Sequence, residues 1–372
     1  MRNKKLIDDI NYLFKTLPRK HKDLYALISK DEFIMMTDRV VALVDNKDFK
    51  QKDFPIVLQM IFAKIRDAHS MVDRYQDPKT PFYFEHINGT YAPVVVSKET
   101  KKLLLTKLKS INGYSIEEFS RLIDKYIIYD NPEAQKLQIS RSLSDWKLIN
   151  YVTSNKNKYI TYVFADGTKV KSKKRLKSTM QTSIYWTEGL EFLRERPSYF
   201  LLSKGNALYI KYSRCREDQD YPLKQFTREI RAAIKKNTPS KIVVDFRNNH
   251  GGNSSLFDQI ADVLKSYIDK NKPKVYCLIN RKVFSSGTLN TYDVKYKLGA
   301  TVVGQPASQG INHFGYTHFF ELPNSKVEIR YSSEYWKFID GNDPVIKPDV
   351  YIEPTIADYK NGNDPVLQYC LD

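Results

Sequence analysis

Lys241–Ser255 reads KIVVDFRNNHGGNSS and runs on into LFDQIADVLKSYI. The β-branched run Ile242–Val244 ahead of Asp245 has the composition of a buried strand. Two asparagines and the pair Gly251-Gly252 break it, and the apolar spacing that follows predicts a helix opening directly after the glycines. Glycine has no Cβ, so its main chain can approach a ligand closely. At a helix start the N–H groups lack intrahelical partners and the dipole favours negative charge. Strand, glycine turn and helix start therefore suit an oxyanion, although a bare turn with Asx hydrogen bonds would read the same way.

Further along, residues 275–288 read VYCLINRKVFSSGT, a second strand ending in a turn at Ser285-Ser286. Around these two segments, strands expected at Ala207–Tyr212, Ile242–Phe246, Val275–Asn280 and Ala300–Val303 alternate with helices, among them Pro222–Lys236 and one after Ser286. Such alternation implies helices packed on a mainly parallel sheet. Ligands of these sheets sit beyond the carboxyl ends of the strands, so the glycine turn and the serine turn are expected to share one crevice.

The rest of the chain differs in texture. Residues 1–75 read as a helical domain: a first helix stopped by Pro18, a second from Lys30 to Val44 capped by Ser29 or Asp31, and a third from Phe54 to Asp67 that delivers His69. Residues 76–190 read as a β-rich domain, with Asn-Gly turns at 88–89 and 112–113 and a hairpin around Asp166-Gly167. Ser115 and Glu118 have the spacing of a capping box. Residues 191–372 form the third, β-α domain.

Composition narrows the class. With 372 residues, 41% hydrophobic and 13% aromatic, the chain can bury a sizeable core. The net charge of +17 is spread along the chain, its densest patch being Lys169–Lys177 (KVKSKKRLK). No nucleic-acid-binding motif accompanies that patch, so no nucleic-acid partner is expected. Cys215, Cys277 and Cys370 lie far apart without a CxxC pair, which argues against zinc or redox chemistry. No stretch approaches a membrane span and the N-terminus lacks a signal-peptide pattern, so a cytoplasmic location is expected.

Acyl transfer needs a nucleophile, a base and donors for the tetrahedral oxyanion. Ser285 offers the hydroxyl; the N–H of Ser286 and of Gly251 or Gly252 offer the donors. Among six histidines, His69 in the run DAHS is the best placed base. His21 lies in a charged segment, His86, His313 and His318 in strand-like stretches, and His250 in the glycine turn itself.

The motifs VVDFRNNHGGN, NRKVFSSG with VVGQPASQG, AKIRDAHSMV, and the ending IKPDV with GNDPVLQYCL occur in the order seen in one family. The chain resembles the tail-specific, C-terminal-processing serine peptidases, in particular their tricorn-core and interphotoreceptor retinoid-binding branch. The resemblance implies an α+β multidomain fold: a crotonase-like catalytic domain, an N-terminal helical domain carrying the base, and a β-rich, PDZ-like middle region. It implies Ser285 as nucleophile, His69 as base, Gly251 or Gly252 with Ser286 as oxyanion hole, and Glu334 as the carboxylate orienting His69, with Asp67 the alternative. Where the family's other branch carries a lysine, this chain has Gly310, a departure that favours a Ser-His arrangement. The expected activity is serine endopeptidase action on a peptide or protein substrate, with no metal or organic cofactor. A non-catalytic binding protein on the same fold and a maturation enzyme for a small intracellular peptide are the alternatives.

Overall fold

The computed structural model describes residues 3–74, 79–174, 199–204, 206–341 and 345–372. The expected domain boundary at 190/191 and Arg175–Lys177 of the basic patch lie outside the described residues. The chain forms two compact units: Met1–Ile184 together with His313–Lys337, and Tyr185–Asn312 together with Phe338–Asp372.

The first unit opens with three helices, α1 (Lys4–Lys20), α2 (Lys30–Asp45) and α3 (Phe54–Ile65). Pro18 does not end α1 as expected; the helix runs to Lys20. In the last turn a proline costs one rung of the ladder, and the carbonyl of Leu17 still accepts the His21 N–H at 2.9 Å. Buried Leu13 and Leu17 hold that turn against the core. Ser29 and Glu32 form a reciprocal capping box on α2. Helix α3, almost wholly buried, stops at Ile65 rather than Asp67, because Arg66 turns left-handed at φ 65°.

Beyond β1 (Met71–Val72), the Asn88-Gly89 turn joins β2 (Tyr83–Ile87) to β3 (Thr90–Val95), and Asn112-Gly113 joins β4 (Leu108–Ile111) to β5 (Tyr114–Ser115). All four turn residues have positive φ, between 42° and 90°, as the tight hairpin turn demands. Helix α4 (Ile116–Ile123) starts with the expected Ser115/Glu118 box. Helices α5 (Pro132–Ser142) and α6 (Trp146–Val152) are not foreseen in the sequence reading. Buried Ser140 and Ser142 blur the apolar period of α5, and the caps Asn131 and Asp145 are what define the two starts. Strands β6 (Ile160–Phe164) and β7 (Lys169–Ser172) complete an antiparallel sheet ordered β5-β4-β6-β7.

The second unit is built on β8 (Tyr199–Lys204), β9 (Ala207–Tyr212), α7 (Leu223–Asn237), β10 (Lys241–Asp245), α8 (Asp258–Asn271), β11 (Lys274–Ile279), α9 (Ser286–Lys297) and β12 (Thr301–Gly304). The chain then contributes the hairpin β13 (His313–Glu321) and β14 (Glu328–Trp336) to the first unit, where β14 pairs with β1. It closes with β15 (Val350–Tyr351), α10 (Ile356–Asn361) and α11 (Pro365–Leu371) in the second.

The six-stranded sheet runs β15-β12-β11-β10-β9-β8, parallel except for β8. Its residues alternate between two cores. Ile210, Val244, Cys277 and Val302 join Phe226, Ile230 and Leu264 of α7 and α8 on one face. Tyr209, Val243, Leu278 and Val303 join Val366 and Cys370 of α11 on the other. A sheet covered on both faces explains why the strand reads as an unbroken apolar run. The glycine turn does not open α8 directly: a single 3-10 turn, Ser254–Phe257, capped by Asn253, comes first. No helix among the described residues is long and apolar enough to cross a membrane.

Candidate active site

In the second unit the loops after β10 and β11 are laced together. Asn248 and Asn280 exchange hydrogen bonds at 3.0 and 2.9 Å, and Phe284 N–H donates to the Asn249 carbonyl at 3.0 Å. Asn249 is fully buried and acts in three directions. Its Nδ2 donates to the Tyr212 carbonyl at 2.9 Å, its Oδ1 accepts from Gly251 N–H at 2.8 Å, and its carbonyl holds Phe284. In the sequence Asn249 is legible only as one of two asparagines able to make Asx hydrogen bonds in the turn, and the bond to Gly251 N–H is of that kind.

Both glycines are required by close approach. A Cβ on Gly251 would lie 2.7 Å from the Ser285 Cβ and 2.9 Å from the Ser286 nitrogen. A Cβ on Gly252 would lie 2.1 Å from the Cys215 carbonyl oxygen, and both glycines have positive φ, 90° and 138°. The glycine turn and the serine turn are thus packed against each other at the ends of neighbouring strands.

Ser285 has φ 53° and ψ −128°, a conformation costing a non-glycine residue about 1–3 kcal/mol and kept only where the surroundings over-determine it. Its carbonyl accepts from Thr288 and its N–H donates to the Gln309 side chain at 2.6 Å. Ser286, the first residue of α9, donates through Oγ to the Gly252 carbonyl at 2.7 Å. Of the four N–H groups here, those of Gly251 and Ser285 are taken by side-chain acceptors. Those of Gly252 and Ser286 have no acceptor among the described residues.

The turn sits on a buried charge network. Arg247 donates through Nη1 and Nη2 to Asp364 at 2.8 and 2.7 Å, and through Nε and Nη2 to Asp245. Lys211 and Tyr209 complete the shell of Asp245, at 3.1 and 2.6 Å. Two cations balance two carboxylates. Burial opposes ionisation of Asp245, but Arg247 and Lys211 outweigh it and hold the carboxyl far below its usual range. Lys211 Nζ also donates to the Arg247 carbonyl at 2.6 Å, fixing the chain where β10 leads into the loop.

In the first unit, His69 follows the left-handed Arg66 in a turn organised by Asp67. Asp67 Oδ1 accepts the His69 main-chain N–H at 3.0 Å. Its Oδ2 accepts from His21 Nε2 at 3.1 Å, from Ser332 Oγ of β14 at 2.6 Å, and from Ser70 Oγ. Burial pushes this carboxyl up, but the His21 bond, the His69 charge and the two hydroxyls outweigh it and hold it at about 2. His21 accepts the Asp23 N–H at Nδ1 (3.2 Å), which leaves Nε2 to donate to Asp67. His21, read in the sequence as part of a charged segment, is buried.

The His69 ring stacks on His313 of β13, with centroids 5.7 Å apart and planes 13° from parallel. Burial is the main force lowering its pKa, to about 4; Asp67 and a hydrogen bond with the Phe314 main chain pull it up, while His313 and Arg330 add to the fall. Glu334 on β14 is exposed, and its carboxylate pairs with Lys22 at 3.5 Å. Ser285, Ser286, Gly251 and Gly252 therefore come together in the second unit, and His69 with Asp67 in the first.

No curated protein matches the chain by sequence. Among solved structures, mature CPAF is similar over 99% of this chain and 95% of that chain, with TM-score 0.67 and 10% identity. Mature CPAF complexed with lactacystin is similar over 99% and 97%, with TM-score 0.67 and 10% identity. The photosystem II D1 C-terminal processing protease is similar over 94% and 93%, with TM-score 0.50 and 9% identity. At such identities the likeness is one of fold, and the sequence relation comes from residues 206–357, which match the family described as Peptidase family S41. They contain the glycine turn, the serine turn and the strands that carry them, and it is over these residues that the chain is similar to peptidase family S41.

Proposed function

We propose that the chain hydrolyses peptide bonds through an acyl-enzyme on Ser285. The match of residues 206–357 to a peptidase family supports hydrolysis of peptides or proteins; the assignment of roles to residues is our reading. The observation that carries it is the pair of N–H groups without acceptors, Gly252 and Ser286, beside a serine held at positive φ. Donors fixed before the reaction need no reorganisation as an oxyanion forms, and each is worth about 10²–10³ in rate. Of the two glycines, Gly252 is the better assignment, since the Gly251 N–H is already given to Asn249.

In this reading His69 takes the Ser285 proton as the hydroxyl attacks the carbonyl, then protonates the leaving amine, and water clears the acyl-enzyme. Its lowered pKa keeps the imidazole neutral and able to accept a proton at neutral pH. The Phe314 main chain and Asp67 are the groups we assign to hold and polarise His69, in preference to Glu334, whose carboxylate is exposed and paired with Lys22. D1 protease is by name a C-terminal processing enzyme, and the same cut near a carboxyl terminus is the substrate class we propose here.

The test is intact mass after treatment with a fluorophosphonate. Wild type should gain one adduct, and the Ser285→Ala and His69→Ala variants none. An adduct that persists in Ser285→Ala would remove Ser285 from its role.

A further inference from the structure

We propose that Gln309 is a positioning residue for the nucleophile: its side-chain oxygen holds the Ser285 N–H and thereby sets both the serine turn and the choice of oxyanion donors. The inference rests on the reading of Ser285 as nucleophile and goes beyond it, because Gln309 touches no reacting atom.

Gln309 is 3% exposed, on the loop that follows β12. That loop is itself fixed: Gln305 N–H donates to the Ile279 carbonyl at 3.3 Å and Ala307 N–H to the Ile346 carbonyl at 3.2 Å. From this base the Gln309 Oε1 accepts the Ser285 N–H at 2.6 Å. A glutamine is an expensive choice for a buried position, losing rotamer freedom and bringing an amide that must be satisfied. A residue of similar volume such as methionine would fill the space without that demand.

The bond has two consequences. First, it closes the Ser285 main chain from the N–H side, while Thr288 and Leu289 close it from the carbonyl side at 2.8 and 3.3 Å. The φ of 53° that presents Oγ is therefore held from both directions. Second, it removes the Ser285 N–H from the set of donors a carbonyl oxygen could meet. A substrate must then use Ser286 and Gly252, which fixes the face from which it approaches Oγ. Gln309 stands one residue before Gly310, which occupies the place of the lysine in the family's other branch.

The experiment compares fluorophosphonate labelling of wild type, Gln309→Met and Gln309→Glu, separating the maximal rate from the concentration of half-saturation. Methionine keeps the volume and removes the acceptor; glutamate keeps an acceptor oxygen. Gln309→Met should lose about 100-fold in maximal rate, the scale of a nucleophile misplaced by about 1 Å, with half-saturation within about twofold. Gln309→Glu at pH 8 should recover most of that rate. A Gln309→Met variant labelled at the wild-type rate, or a folded Gln309→Glu variant as slow as Gln309→Met, overturns the proposal while leaving Ser285 in place. Absence of labelling in wild type fails the reading of Ser285 itself, and the proposal with it. Should Gln309→Met not fold, residue-resolved amide exchange on the wild type reads the bond directly: Ser285 N–H must exchange at least about tenfold more slowly than Gly252 and Ser286 N–H, and equal rates overturn it.

Discussion

The lowered pKa of His69 makes a prediction about pH that needs no knowledge of the substrate. An imidazole with the ordinary pKa of about 6.5 is about 10% neutral at pH 5.5, whereas one at about 4 is about 97% neutral. In the proposed mechanism, labelling of Ser285 depends on neutral His69, so between pH 7.5 and 5.5 its rate should change by less than about 1.2-fold, against about tenfold for an ordinary histidine. The assay is the pseudo-first-order rate of adduct formation by intact mass, with near-UV circular dichroism confirming the fold at each pH. An acid limb with a midpoint between 6 and 7 would refute the reasoning: the base would then be solvated, or would not be His69. The same shift has a cost in stability. Folded His69 stays neutral where the unfolded chain binds a proton, so stability falls as pH drops from about 6.5 to about 4, by about 3 kcal/mol in all. Asp67 works at lower pH: with its folded pKa held at about 2, its contribution is complete above about 3.8 and is lost as pH falls through 2.

Three further outcomes follow from the geometry. Gly251→Ala places a methyl 2.7 Å from the Ser285 Cβ at a φ of 90°; it should cost about 1–2 kcal/mol of stability by thermal melting and slow Ser285 labelling about 100-fold. Asp67→Asn should slow labelling and lower the melting temperature, since it leaves His21 and the hydroxyls of Ser70 and Ser332 without the charge they share, whereas Glu334→Gln, at an exposed pair, should change stability by less than about 1 kcal/mol and leave labelling near wild type. Asp364→Asn unbalances the buried Arg247 and should destabilise by about 3 kcal/mol in a denaturant titration, with labelling reduced in proportion to the unfolded fraction.

Asp364 shows how much of the site is held from afar. It caps α11 by accepting the Leu367 N–H at 3.0 Å and meets Arg247 with the same carboxylate. The end of the chain is thereby tied to the start of the glycine turn, and the turn in turn to Ser285 through the packing of Gly251. A substitution at Asp364 can therefore reach Ser285 through rigid, satisfied polar groups.

What the sequence determined by itself is what local rules determine. The run Ile242–Val244, the Asn-Gly turns and the capping boxes at Ser29 and Ser115 each encode their structure within a few residues, because strand burial, positive φ and N-cap bonding are short-range demands. The glycine turn and the turn at Ser285-Ser286 were legible as turns for the same reason: each sits at the end of a recognisable strand. Where helices start and stop was less so, because Pro18 is carried by the packing of its neighbours and α8 waits for a 3-10 turn. Which N–H groups of the serine turn are occupied is set by packing between remote segments. Gln309 claims the donor of Ser285, and His21 and Ser332 surround Asp67 from segments 46 and 265 residues away in the chain. Hydrogen-bond partners of this kind are set by the packing of remote segments, and no local pattern in a sequence records them.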